Sequence, residues 1–170
     1  KWWSSPRIFA SGSVNHLRRI GNTDIGGGLF LMAENSYRKY NDDKLARVNF
    51  RLKQRSEKIK GLVYGVRLTG ALNTKTDFIL WEDADSGALK QDTSTISLLN
   101  ARFMTIDPFI SFDRKGRFRH DFRMRVQASG NQFPVKVKNN ASSVSVYSEY
   151  LLFYEIAESM SLTAGLSENW

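Results

Sequence analysis

Apolar and polar residues alternate along this chain in segments of about a dozen. The clearest segment runs from Phe118 to Ser129. Phe118, His120, Phe122, Met124, Val126 and Ala128 take one phase, and Arg119, Asp121, Arg123, Arg125, Gln127 and Ser129 take the other. A period of two predicts a strand, because successive side chains leave opposite faces. One face is oily and the other charged. At this length the pairing suits a membrane-spanning strand with a polar inner side.

The same rhythm predicts eight strands. They are Arg7–Ile20, Ile25–Ala33, Leu45–Arg55, Leu62–Asn73, Ala101–Asp113, Phe118–Ser129, Val144–Ile156 and Leu162–Trp170. The second carries Gly26, Gly27 and Gly28, which suit a bend or close packing. The fifth carries Pro108, which lacks a ladder donor and predicts a bulge. The fold class is therefore all-β, an antiparallel up-and-down meander of about eight strands, part of a transmembrane β-barrel. It forms one domain over residues 1–170.

The links alternate in length. Gly21–Asp24, Arg55–Lys60, Asp113–Arg117 and Ala157–Ser159 are short and turn-rich, whereas Glu34–Lys44, Lys75–Asn100 and Gly130–Ser143 are longer. Outer-membrane barrels show this asymmetry, with trimmed periplasmic turns and elaborated external loops. The phase puts both termini at the long-link end, whereas single-chain bacterial barrels put them at the short-turn end. That predicts a stretch of a larger barrel, truncated at both ends. Trp170 points the other way, since a terminal aromatic is common in such barrels.

Composition narrows little. The chain is 41% hydrophobic with a mean hydropathy of -0.40, which suits a soluble protein and a barrel with one lipid face equally well. No apolar run is long enough for a membrane helix. The net charge of +8 is spread at strand spacing with no nucleic-acid motif, so no nucleic acid partner is expected. Cysteine is absent, and no nucleophile–base pair or metal-ligand spacing appears. The reading is not an enzyme, with no cofactor and no metal. His16 and His120 fall on strands and read as structural.

Arg18–Asp24, Thr76–Leu89 and Ile106–Ile110 resemble the barrel of TonB-dependent outer-membrane receptors from Bacteroidota. The resemblance covers essentially the whole chain and rests on strand style and loop wording. It implies a 22-stranded plugged barrel that imports a scarce nutrient: siderophore-bound iron, cobalamin, haem or a glycan. It implies localisation in the bacterial outer membrane. Its partners would be outer-membrane lipid, the plug domain of the same receptor, and TonB indirectly through that plug. No TonB box and no plug domain lie in this sequence. Competing readings are a complete small eight-stranded outer-membrane barrel serving as anchor or adhesin, and a soluble ligand-binding β-barrel.

Arg47, Arg51, Arg67, Arg119, Arg123 and Arg125 share the polar phase and form a candidate ligand-facing wall. The plainer reading pairs them in a ladder with Asp107, Asp121 and Glu149. Trp81 is a candidate to stack on a ligand or sit in an aromatic girdle, the place expected for Trp2 and Trp3. Glu82, Asp83 and Asp85 have calcium-type oxygens without EF-hand spacing and read as a solvated acidic link.

Overall fold

The computed structural model describes residues 6–35, 40–78, 92–113, 117–134 and 139–170. Eight strands form one sheet in chain order: β1 (Ile8–Ile20), β2 (Thr23–Asn35), β3 (Asp42–Arg55), β4 (Leu62–Asp77), β5 (Ser97–Asp113), β6 (Phe118–Gln132), β7 (Ala141–Ala157) and β8 (Met160–Asn169). Every neighbouring pair is antiparallel. A 3-10 turn lies at Thr93–Thr95. Its cap, Asp92, accepts from the Ser94 hydroxyl and N–H at 2.7 and 2.9 Å, and these bonds hold its carboxyl below the usual range. No helix among the described residues is long and apolar enough to cross a membrane.

The strand number, order and alternation match the sequence reading. Most boundary differences are extensions, although β1 starts one residue later and β8 ends one residue earlier than expected. At the long-link end β2, β3, β4, β5, β6 and β7 run on by two to four residues, through Asp42–Lys44, Thr74–Asp77 and Ser97–Asn100, for example. Asp42–Lys44 and Thr74–Asp77 are polar on both faces and Ser97–Asn100 has two adjacent leucines, so no alternating hydrophobic period marks them, but their backbones still pair. The link after β2 consequently shrinks to residues 36–41, the same length as the short link at 56–61.

The expected bulge at Pro108 is absent. Ile106 faces Val126 and Phe109 faces Arg123, so the register is the same on both sides. Pairing merely lapses at Asp107 and Pro108, on the β6 side only, since Pro108 stays paired with Val66 of β4. The missing proline N–H accounts for the gap.

Register places like with like across the sheet. One row reads Val14, Leu29, Val48, Gly70, Met104, Ala128 and Val144; another reads Tyr64, Ile110, Phe122, Tyr150 and Leu166. The apolar phase thus forms one continuous face. It is bare: Val144 is 70% exposed and Leu166 78%. The buried polar residues Asp24, Thr105 and Asp121 all lie on the opposite, charged face. The side chains that the strands bury are thus polar and lie on the charged face.

This is a sheet without a conventional core. Phe78 is the only buried apolar side chain among the described residues. The accessible surface is 12320 Å², whereas a compact protein of this 19.4 kDa mass would expose about 8,500 Å².

The strands are also staggered. The row through Asn169 of β8 crosses β1 at Leu17, nine residues in from Ile8. The row through Ile20 crosses β8 at Leu166, six residues in from Met160. With about 3.3 Å per residue and about 4.8 Å between strands, that stagger corresponds to a tilt of roughly 30–40°, close to that of barrels. β1 and β8 do not pair with each other, so the sheet is open along both edges.

Candidate functional site

All six predicted arginines project from the charged face, because they share the phase of the buried Thr105 and Asp121. Their surroundings then divide them. Arg125 faces Asp107 across the pairing gap at Pro108. Its Nε and Nη2 donate to Asp107 Oδ1 and Oδ2 at 2.7 and 2.9 Å. This fork spans the place where the ladder has lapsed, so a side-chain pair stands in for the absent backbone bond.

Arg119 lies over the Phe153 ring at 3.9 Å and approaches Asp121 at 3.4 Å. Arg123 sits 4.0 Å from both Asp121 and Glu149. Asp121 also accepts from the Ser111 hydroxyl at 2.5 Å. Arg47 is 5.2 Å above the Phe30 ring, its direct cross-strand neighbour. The ladder with Asp107, Asp121 and Glu149 therefore takes up Arg119, Arg123 and Arg125.

Arg51 and Arg67 are different. They are direct cross-strand partners, with Cβ atoms about 5 Å apart by antiparallel geometry. Like charges so placed repel. Arg67 has the Phe109 ring at 6.0 Å, while Arg51 Nε is buried with no hydrogen-bond partner.

The charged face holds a groove of about 700 Å³ beside this pair. Lys53, Arg67, Arg119, Arg123 and Arg125 line it against Asp107, Asp121 and Glu149, so its wall is electropositive. Trp81, Trp2, Trp3, Glu82, Asp83 and Asp85 lie outside the described residues. Among the described residues no three His, Cys, Asp or Glu side chains converge.

Two features of this face went unnoticed in the sequence. Asp24 is gripped by Arg19 Nε at 2.6 Å and Arg55 Nη2 at 2.8 Å, beside the first turn. The Gly21–Asn22 turn places Arg19 opposite Asp24, so the spacing around that turn was the available signal. Phe30, Phe109 and Phe153 break the polar phase, and each lies under an arginine. An aromatic out of phase was the signal there.

His120 stands on the apolar face as expected. Its Nδ1 is 2.7 Å from the Tyr150 hydroxyl, and its ring neighbours Phe112 and Tyr150. Phe118 stacks on Tyr154 at 4.6 Å nearby. Aromatic side chains thus crowd the short-link end of the apolar face on β4–β7.

The bridging role of Asp107 has a measurable consequence. Asp107→Asn should destabilise the chain by about 1 kcal/mol, since Arg125 is 54% exposed and solvent screens the pair. Amide exchange at Met124 and Arg125 should quicken at the same time. Unchanged exchange beside the Pro108 gap would show that the fork does not hold it closed.

Comparison with protein-family models, curated proteins and solved structures finds no match to this chain.

Proposed function

We propose that this chain is a stretch of the barrel wall of a TonB-dependent outer-membrane receptor importing a scarce nutrient, of the siderophore-iron, cobalamin, haem or glycan kind. One observation carries the membrane part of this reading. The side chains buried within the strands, Asp24, Thr105 and Asp121, are polar and share the charged face, while the opposite apolar face is continuous and bare. Water would drive the opposite arrangement, since exposed apolar surface costs about 25 cal/mol per Å². Lipid removes that cost.

The dimensions agree. On β6 the apolar positions from Phe118 to Ala128 cover ten residue steps. That is about 33 Å along the strand and, tilted by about 40°, about 25 Å along the barrel axis, the height of an outer-membrane apolar band. The aromatic cluster at the short-link end suits a girdle at one membrane interface. The receptor part rests on the wording of Arg18–Asp24, Thr76–Leu89 and Ile106–Ile110, and on the two unpaired edges. An edge exposed to lipid leaves backbone groups unsatisfied, so further strands must flank β1 and β8. In this reading lipid meets the apolar face, the plug of the same receptor meets the charged face, and TonB acts through that plug.

Two measurements test it. Spin labels at Met124 and Arg123, in vesicles, should report oxygen access for the first and access to a water-soluble nickel reagent for the second. A water-exposed label at Met124 beside a shielded one at Arg123 ends the membrane reading. An antibody against this chain should detect, in outer membranes, a polypeptide several times its 19.4 kDa mass. A 19.4 kDa band would instead identify a small self-contained barrel.

A further inference from the structure

We infer that Arg51 and Arg67, with Lys53, form a binding site for a small multivalent anion carrying carboxylate or phosphate oxygens. The inference deepens the receptor reading and rests on it for one point, that this face lines a water-filled lumen.

The site follows from an imbalance of charge. Arg51 and Arg67 are direct cross-strand neighbours on the charged face. Lys53 follows Arg51 by two residues and so shares its face. Three cations therefore occupy adjacent positions on two strands. The carboxylates around them are committed elsewhere. Asp107, opposite Arg67, gives both oxygens to Arg125 at 2.7 and 2.9 Å. Asp24, opposite Lys53, is held by Arg19 and Arg55. Asp121 and Glu149, across the groove, face Arg119 and Arg123.

Arg51 also has a buried Nε without a partner. A buried charged donor left unbonded is costly, and so is a like-charged cross-strand pair. One anion relieves both. Two guanidiniums offer forked donors that match the oxygens of carboxylate or phosphate, and the ammonium adds a third charge. Arg67 and Lys53 line the groove of about 700 Å³, which gives such an anion access and room. None of the other four arginines faces a second arginine across the strands, and Arg119, Arg123 and Arg125 each have a carboxylate within 4.0 Å.

Citrate and inorganic phosphate are suitable probes, titrated separately into the full chain in zwitterionic micelles at low salt. Arginine Nε–H resonances supply the readout. Either anion should saturate with the largest shift at Arg51. Arg51→Gln and Arg67→Gln should each weaken binding at least tenfold, and Arg51→Lys should weaken it less. Arg18→Gln, on the opposite face, should change affinity less than twofold. If Arg51→Gln does not fold, by far-UV circular dichroism, Arg67→Gln carries the same test. Preference for citrate over phosphate marks a carboxylate ligand, and the reverse marks a phosphate ligand. Unsaturable shifts, or an equal loss in Arg18→Gln, would overturn the site. The label accessibilities at Met124 and Arg123 report on the lumen separately, so failure of the membrane reading and failure of the anion site are distinct results.

Discussion

Val126→Arg should cost about 2–4 kcal/mol of folding stability in lipid vesicles, and Gln127→Arg almost nothing. The two positions are adjacent on β6, but register sends them to opposite faces. Val126 lies in a row with Leu68, Ile106 and Val146 inside the apolar band, one apolar row in from Val144. Gln127 lies in the row of Thr69, Thr105 and Ser145 on the charged face. A guanidinium inside that band must be dragged to water or paired, whereas one beside Gln127 is already in a polar setting. Depth supplies the sharper contrast. Val144→Arg, next to the polar extensions at the long-link end, should cost about 0–1 kcal/mol, because the penalty fades toward the interface. Denaturant unfolding in vesicles measures all three. A hydrophobic core in water would penalise arginine without regard to that axis, so equal costs at Val126 and Val144 would remove lipid as the explanation.

The parts of this fold legible in the sequence are those where one strand face is apolar and the other charged. A strand with an oily face and a charged face alternates visibly, as Phe118–Ser129 does, and its phase assigns each residue a side. On that basis alone all six arginines share the charged face, and the register agrees. Alternation says nothing where both faces are polar. The strand ends at Asp42–Lys44 and Thr74–Asp77 were therefore hidden, although their backbones bond as regularly as the rest. Register was hidden as well. It depends on pairing across strands, and it decided that Arg125 neutralises Asp107 while Arg51 opposes Arg67. Residue type could not separate a bonded arginine from an unbonded one. Pro108 misled for a related reason. Loss of one donor suggested an inserted residue, but the fork between Arg125 and Asp107 spans the gap with the register intact.

Gly65→Ala should be among the most damaging single-methyl changes available, costing about 2–3 kcal/mol, whereas Gly12→Ala should stay within about 0.5 kcal/mol of the parent. Both glycines sit in strands, and composition does not distinguish them. At Gly65 a Cβ would overlap the Leu52 carbonyl oxygen and meet the Phe109 ring at 2.9 Å. The carbonyl is backbone held in the β3–β4 ladder, so it cannot swing aside as a flexible side chain would. The ring is held too, since it packs across the bare Gly65 backbone and carries Arg67 at 6.0 Å. Displacing Phe109 would therefore disturb the wall beside Arg67 as well as the ladder. At Gly12 nothing lies within 4 Å of the added atom, and its face is apolar. An extra methyl there adds to the bare apolar face and lowers the backbone entropy of the unfolded chain. Unfolding midpoints of the two variants in vesicles give the comparison. Equal stability would mean that β3 and β4 separate easily at Leu52 and Gly65. In that case the packing of Phe109 over Gly65 would not be what fixes the spacing of the charged face.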